Sequence, residues 1–191
     1  MHKNFEDLIS TVKVNGNGAH IFYAFENEEK YIENLIIYTA AAIGLGNHIM
    51  IIENDRIMPE LQNRINVEFN EQQQEMIHTI NNYDFYCYRG NFNKETILSY
   101  LDNMIAPFLE KNIPVQTWAH VEWRDQEQIF KDLGDYEKEA DAMIKSTNLI
   151  SVCGYDSNRV PDSLKAILMD SHDYYMTDDT IKLIDRKTRI Q

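Results

Sequence analysis

Five residues of this chain, His20, His120, Glu122, Cys153 and His172, are of types that bind metal ions. Three such ligands suffice for a catalytic metal with an open position. Their spacing is long, and neither His-Glu-x-x-His nor Cys-x-x-Cys occurs, so a metal-dependent enzyme is the weaker alternative and no metal is assigned. Covalent hydrolysis has less behind it: there is no Gly-x-Ser-x-Gly, and Cys153 has no base visible in the sequence. Phosphate chemistry needs a glycine-rich turn with a lysine, Gly-x-x-x-x-Gly-Lys-Ser/Thr, after a first strand. Here that turn reads Ala24-Phe25-Glu26-Asn27-Glu28-Glu29-Lys30, without glycine and with three acids where a triphosphate would sit. Those acids suit the positive end of a helix dipole instead, and no nucleotide hydrolysis is expected.

These residues are carried by a regular succession of elements. His20 to Phe25 reads as a buried strand, and Tyr31, Leu35, Tyr38, Ala42 and Leu45 recur at helical spacing until Gly44 and Gly46 end the helix. Ile49 to Ile52 is one unbroken apolar run, the pattern of a parallel strand covered on both faces. Ahead of this unit, Phe5, Leu8, Ile9 and Val12 predict a short leading helix, closed by Asn15-Gly16-Asn17-Gly18. After it, Asp55 opens a helix to about Ile65, and a second helical piece spans Asn70 to Ile80. A third strand is expected over Asp84 to Arg89, turned at Gly90 and Asn91 into a helix from Asn93 to Lys111. A fourth strand follows over Ile113 to His120, then a long acidic helix over 125–147, a fifth strand over Asn148 to Tyr155, a helix from Pro161 to Ser171 and a last short strand near Tyr174 to Met176. Two interior strands hold the cysteines, Cys87 and Cys153, as buried thiols. The organisation is therefore one α/β domain, 18–178, with a leading helix and turn, 1–17, and a basic C-terminal tail, 179–191.

Composition narrows the function classes. Thirty-one acidic residues against 18 Lys plus Arg give a formal charge of -13, which repels a phosphate backbone, so direct nucleic-acid binding is not expected. No apolar run is long enough to span a membrane and the N-terminus lacks a secretory layout, which places the chain in the cytoplasm as an expectation.

Several short motifs in order, His20-Ile21-x-Tyr23 before an acidic helix start, Gly44-x-Gly46 before an aliphatic strand, Val121-Glu122-Trp123, and Val152-Cys153-Gly154-Tyr155-Asp156, resemble the MEDS domain family of sensory domains, over roughly residues 18–178. The resemblance implies a RecA- or KaiC-like, mainly parallel sheet with helices on both faces, without its phosphate loop. It also implies a small-ligand sensor in signal transduction or transcriptional regulation. His20 falls in the family's His-Ile start, and Glu122 falls at a Gly-Glu-Met-like turn that here lacks its glycine. Family members are often fused to an output module, so output through a separate signalling protein is expected here.

With the RecA-like strand order 5-1-4-3-2, the first strand would lie between the fourth and fifth, and their ends would form one pocket. The expected ligand-binding residues are His20, Tyr23, Phe25, His120, Glu122, Trp123 and Tyr155, with Trp118 as a further wall. Aromatic walls with few polar groups suit a small apolar or cationic ligand. A further alternative is an interaction module that regulates a kinase or sigma-factor pathway through the acidic helix 125–147, and a homo-oligomer fits either reading. No cofactor is expected.

Overall fold

The computed structural model describes residues 2–87, 92–123 and 126–185. Its centre is four parallel strands whose two-sided burial follows from their apolar runs: β1 (Ala19–Phe25), β2 (His48–Glu53), β4 (Val115–His120) and β5 (Ile150–Asp156). The remaining strands are β3 (Ile77–Asn81), β6 (Tyr174–Met176) and β7 (Ile181–Leu183), and the sheet order is β3-β2-β4-β5-β1-β6-β7, antiparallel only between β6 and β7. Helices α1 (His2–Asn15), α2 (Glu28–Gly44) and α3 (Met58–Glu68) cover one face; α5 (Asn82–Cys87), α6 (Lys94–Glu110), α7 (Gln126–Thr147) and α8 (Asp162–Ser171) cover the other. The short α4 (Glu71–Gln74) leads into β3. Among the described residues, no helix is long and apolar enough to cross a membrane. The leading helix is part of the core, burying Phe5, Leu8, Ile9 and Val12 with Tyr38 of α2.

The expected strand order is corrected. β5, not β1, pairs with β4, and β1 lies between β5 and β6. The RecA-like order reappears once β3 is set aside as an added edge strand, and counting a third strand over 84–89, where α5 lies, numbers the later strands one too high. Gly18 fixes the β1–β5 neighbourhood. It has a φ of 63°, and a Cβ there would stand 2.6 Å from the Ile144 carbonyl oxygen and 2.8 Å from that of Leu149, so only glycine lets β1 start against the α7–β5 turn.

The expected third strand over 84–89 and the helix over 70–80 are also corrected. Asn70 and Gln73 form a reciprocal capping box that serves only the single turn Glu71–Gln74, and Ile77 then pairs with Ile49. The side-chain oxygen of Asn81 accepts from the backbone N–H groups of Tyr83 and Asp84, starting a helix where the aromatic run favours a strand. Cys87 ends that helix, and its side chain, the turn at Gly90 and Asn91, and Arg124 lie outside what is described.

Candidate functional site

Period-two alternation along the strands sends their polar residues to two places. On the face under α1 to α3, Glu53 ends β2 fully buried, and a carboxylate there must be hydrogen-bonded. The Tyr31 hydroxyl donates to Glu53 Oε2 at 2.7 Å and accepts from Trp118 Nε1 at 2.8 Å. Glu53 Oε1 accepts the backbone N–H of Asn54 at 2.8 Å and lies 2.6 Å from His120 Nδ1. Phe25 closes over this group, its ring 4.4 Å from that of Tyr31 and 5.3 Å from that of His120. Burial and Glu53 together push the Tyr31 hydroxyl well above its ordinary pKa, so it remains a donor. Gly154 makes the space for Tyr31: a Cβ at 154 would meet the ring at 2.8 Å.

The chain of contacts opens to solvent at Glu122, just past β4. Its side chain is 38% exposed, accepts from the Asn54 amide at 3.1 Å and the Asn82 amide at 3.3 Å, and lies 3.7 Å from His120 Nε2. Asn82 also donates to the His120 carbonyl at 3.2 Å, tying the start of α5 to the end of β4. The carboxyl edge of the parallel sheet, where open α/β sheets bind ligands, thus presents a half-exposed carboxylate backed by a buried, aromatic-walled polar network.

The neighbouring turn between β1 and α2 holds an acid of the chain itself. Asp178 Oδ2 accepts the backbone N–H groups of Glu26 and Asn27 at 3.2 and 3.1 Å, and Oδ1 accepts the Tyr23 hydroxyl at 2.7 Å. Asn34 donates both to the Tyr23 hydroxyl and to the Asp178 carbonyl, each at 3.0 Å. Asn27 caps α2 through Lys30 N–H, and Glu28 pairs with Arg56.

On the opposite face, under α7 and α8, His20, Glu137, Cys153 and His172 converge. All four are buried, and their donor atoms lie within 4.8 Å of one another. His20 Nε2 stands 3.3 Å from Cys153 Sγ and 3.3 Å from Glu137 Oε2; His172 Nε2 is 3.6 Å from the same oxygen. The Tyr155 hydroxyl donates to Glu137 Oε1. Burial works against charge on His20, but Cys153 and the Asp141 and Glu137 carboxylates around it hold its pKa well above the ordinary imidazole range. Burial pushes the Cys153 thiol up, leaving the two carboxylates as the attraction that remains while it is protonated. His172 is depressed to about 3 by burial and by His20, and stays neutral. Burial would raise Glu137, yet the two histidines and Tyr155 bring it below its usual value.

The residues expected to form one pocket are therefore divided. Phe25, His120 and Glu122 come together, with Tyr23 one ring behind them, 5.8 Å from Tyr31. His20, Trp123 and Tyr155 stand on the other face, where Trp123 packs 6.1 Å from Tyr155 beneath the Arg159 guanidinium. Of the five metal-type residues, His20, Cys153 and His172 meet, while His120 and Glu122 belong to the Glu53 network. Sequence reasoning missed Glu53, Asn54, Asn82, Asp178 and Glu137. Glu137 had a signal, since it falls on the inward stripe four residues after Leu133 and three before Ala140. The order β4-β5-β1, with His120 and Tyr23 both in register with Gly154, is what separates the strand ends.

The family described as MEDS, MEthanogen/methylotroph, DcmR Sensory domain, matches residues 19–173. Among curated proteins no sequence matches significantly. The chain is similar in structure to a KaiC-like protein from the hyperthermophilic archaeon Pyrococcus horikoshii OT3, with a TM-score of 0.56 and 9% identity over 84% of this chain and 71% of that one. It is similar to a second Pyrococcus horikoshii OT3 protein at a TM-score of 0.56 and 9% identity, over 87% and 86% of the two chains. An ATPase domain is similar at a TM-score of 0.55 and 7% identity, over 84% of this chain and 69% of that one. At these identities the likeness is one of fold.

Proposed function

The chain belongs to the MEDS family of sensory domains, and from that premise we propose that it is a non-enzymatic sensor whose carboxyl-edge site binds a small molecule and whose bound state is read by a partner protein. The observation that carries this reading is the position of Asp178. In a fold shared with an ATPase domain, the turn after the first strand is where backbone N–H groups would receive phosphate. Here the N–H groups of Glu26 and Asn27 are given to the chain's own carboxylate. A triphosphate would have to displace Asp178 and stand beside Glu26, Glu28 and Glu29.

The ligand class follows from what remains. Glu122 offers a half-exposed carboxylate, backed by the buried Glu53 and by the buried rings of Phe25, Tyr31 and His120, which a ligand reaches only if the edge opens. That combination favours a small cationic or apolar molecule over an anion. The route outward is short: Glu122 is bonded to Asn54 after β2 and to Asn82 at the start of α5, so a ligand that takes its oxygens loosens or tightens both segments. The same segments are where a signalling partner would read occupancy.

The test is calorimetry with magnesium ATP and magnesium GTP. The proposal expects no heat of binding. A dissociation constant below about 10 μM, equivalent to roughly -7 kcal/mol, overturns the non-enzymatic reading.

A further inference from the structure

We propose that His20, Glu137, Cys153 and His172 form a site for one tetrahedral dication of the zinc class, on the sheet face opposite Glu122 and independent of the sensor reading. The four ligands come from four separate elements: His20 from β1, Cys153 from β5, Glu137 from α7, and His172 from the residue after α8. Nothing local in the chain brings them together; the fold does. Their closest donor separations, 3.3, 3.3 and 3.6 Å, match the edges of a tetrahedron with metal bonds of about 2.0–2.3 Å, which run from about 3.3 to 3.8 Å.

The outer contacts present the right atoms. His20 Nδ1 lies 3.2 Å from the Ser171 carbonyl and His172 Nδ1 lies 2.7 Å from the Leu168 carbonyl. A carbonyl accepts only a hydrogen, so each Nδ1 carries one and each Nε2 faces Glu137 and Cys153, the arrangement that orients ligating histidines. Glu137 Oε1 is engaged by the Tyr155 hydroxyl, while Oε2, buried and without a hydrogen bond, points at the same spot. One hydroxyl and two carbonyls thus hold three of the four ligands from behind.

Charge balances as well. A dication that binds here displaces the Cys153 thiol proton to solvent, and His20 and His172 coordinate as neutral imidazoles. One thiolate and one carboxylate then neutralise it, and two neutral imidazoles complete the shell. A mixed sulfur and nitrogen set at tetrahedral spacing selects zinc over magnesium or calcium. The two imidazole rings stack at 3.7 Å and must splay to admit the ion. A small cavity of about 10 Å³ borders His20 and Cys153, on the side away from Glu137 and His172. Bound there, the ion would fasten α7 and the end of α8 to β1 and β5.

The test uses the untagged full chain, stripped with a chelator and titrated with cobalt(II), then with zinc. The expected result is one equivalent of cobalt, with tetrahedral bands in the visible and a thiolate-to-cobalt charge-transfer band in the near ultraviolet, both removed by zinc. Zinc at a hundredfold excess over its dissociation constant should raise the melting temperature by about 5–10 °C. Cys153→Ser should lose the charge-transfer band, whereas Cys87→Ser should keep it. His78→Ala should also keep it, although His78 and His48, their ring nitrogens 3.1 Å apart, form another close imidazole pair among the described residues. Folded wild type without a charge-transfer band overturns the proposal, as does a cobalt signal that survives Cys153→Ser or disappears in Cys87→Ser or His78→Ala. If Cys153→Ser does not fold, the wild-type band and its persistence in Cys87→Ser decide the matter.

Discussion

Asp178 is bonded to Tyr23 across the end of β1: the tyrosine hydroxyl donates to Oδ1 at 2.7 Å while Oδ2 holds the two N–H groups that open the turn into α2. Asp178→Ala removes the acceptor from the Tyr23 hydroxyl and from both amides together. The expected cost is about 1–3 kcal/mol, read as a lower melting temperature. Vacating the turn should not create nucleotide binding, because there is no glycine-rich loop, Glu26, Glu28 and Glu29 remain, and Lys30 is paired with Asp179; calorimetry of the variant with magnesium ATP is expected to stay flat.

Glu53 and Glu122 sit in one network and should respond differently to the same change. Glu53→Gln replaces a fully buried carboxylate that serves Tyr31, Asn54 and His120, and is expected to cost about 3 kcal/mol. Glu122→Gln keeps an acceptor for one of its two amide partners at a half-exposed position, and should change apo stability by less than about 1 kcal/mol. Paired chemical denaturation curves check this. Equal losses at the two positions would make Glu122 a structural acid.

Gly154→Ala should destabilise the fold by about 1–3 kcal/mol, since the added methyl meets the Tyr31 ring at 2.8 Å and that ring is buried between Phe25, Tyr23 and Trp118. Denaturation of the variant, followed by tryptophan fluorescence in a Trp123→Phe background so that Trp118 is the emitter, reports both the loss and the shift of the ring against it.

How far the sequence could be read depended on what decided each element. The runs His20 to Phe25, Ile49 to Ile52 and Leu149 to Val152 are buried on both faces, and burial alone made them strands. β3 and α5 follow local caps: the box at Asn70 and Gln73 serves only the single turn Glu71–Gln74, after which Ile77 pairs with Ile49, and Asn81, accepting from Tyr83 and Asp84, begins a helix where Phe85 and Tyr86 favour a strand. The site was partly legible. Alternation already places His20 and Tyr23 on opposite faces, so a single pocket containing both was excluded by the strand's own period. That Asp178 would return to the first turn, and that Glu137 would face inward from an acid-rich helix, required the long-range pairing of β1 with β5 and β6.

The half-buried pair His48 and His78 gives a pH prediction. Burial, and then His48, lower the pKa of His78 below its ordinary 6.5. The unfolded chain therefore takes up a proton that the folded chain refuses, and stability is lost as pH falls from about 6.5 toward the lowered folded value. Above 6.5 the contribution is fully present. Melting temperatures of wild type and His78→Gln, compared between pH 8 and pH 5, should show a shallower acid decline in the variant; parallel declines would remove His78 as a source.

The central claim is that the carboxyl edge of the sheet is a small-molecule site centred on Glu122 and not a nucleotide site. Native mass spectrometry of freshly purified wild type and Glu122→Gln tests it most directly. The account predicts a non-covalent adduct of a small cationic or neutral molecule on the wild type, absent from the folded variant. A nucleotide di- or triphosphate on the wild type, or a small-molecule adduct retained in full by Glu122→Gln, would contradict it.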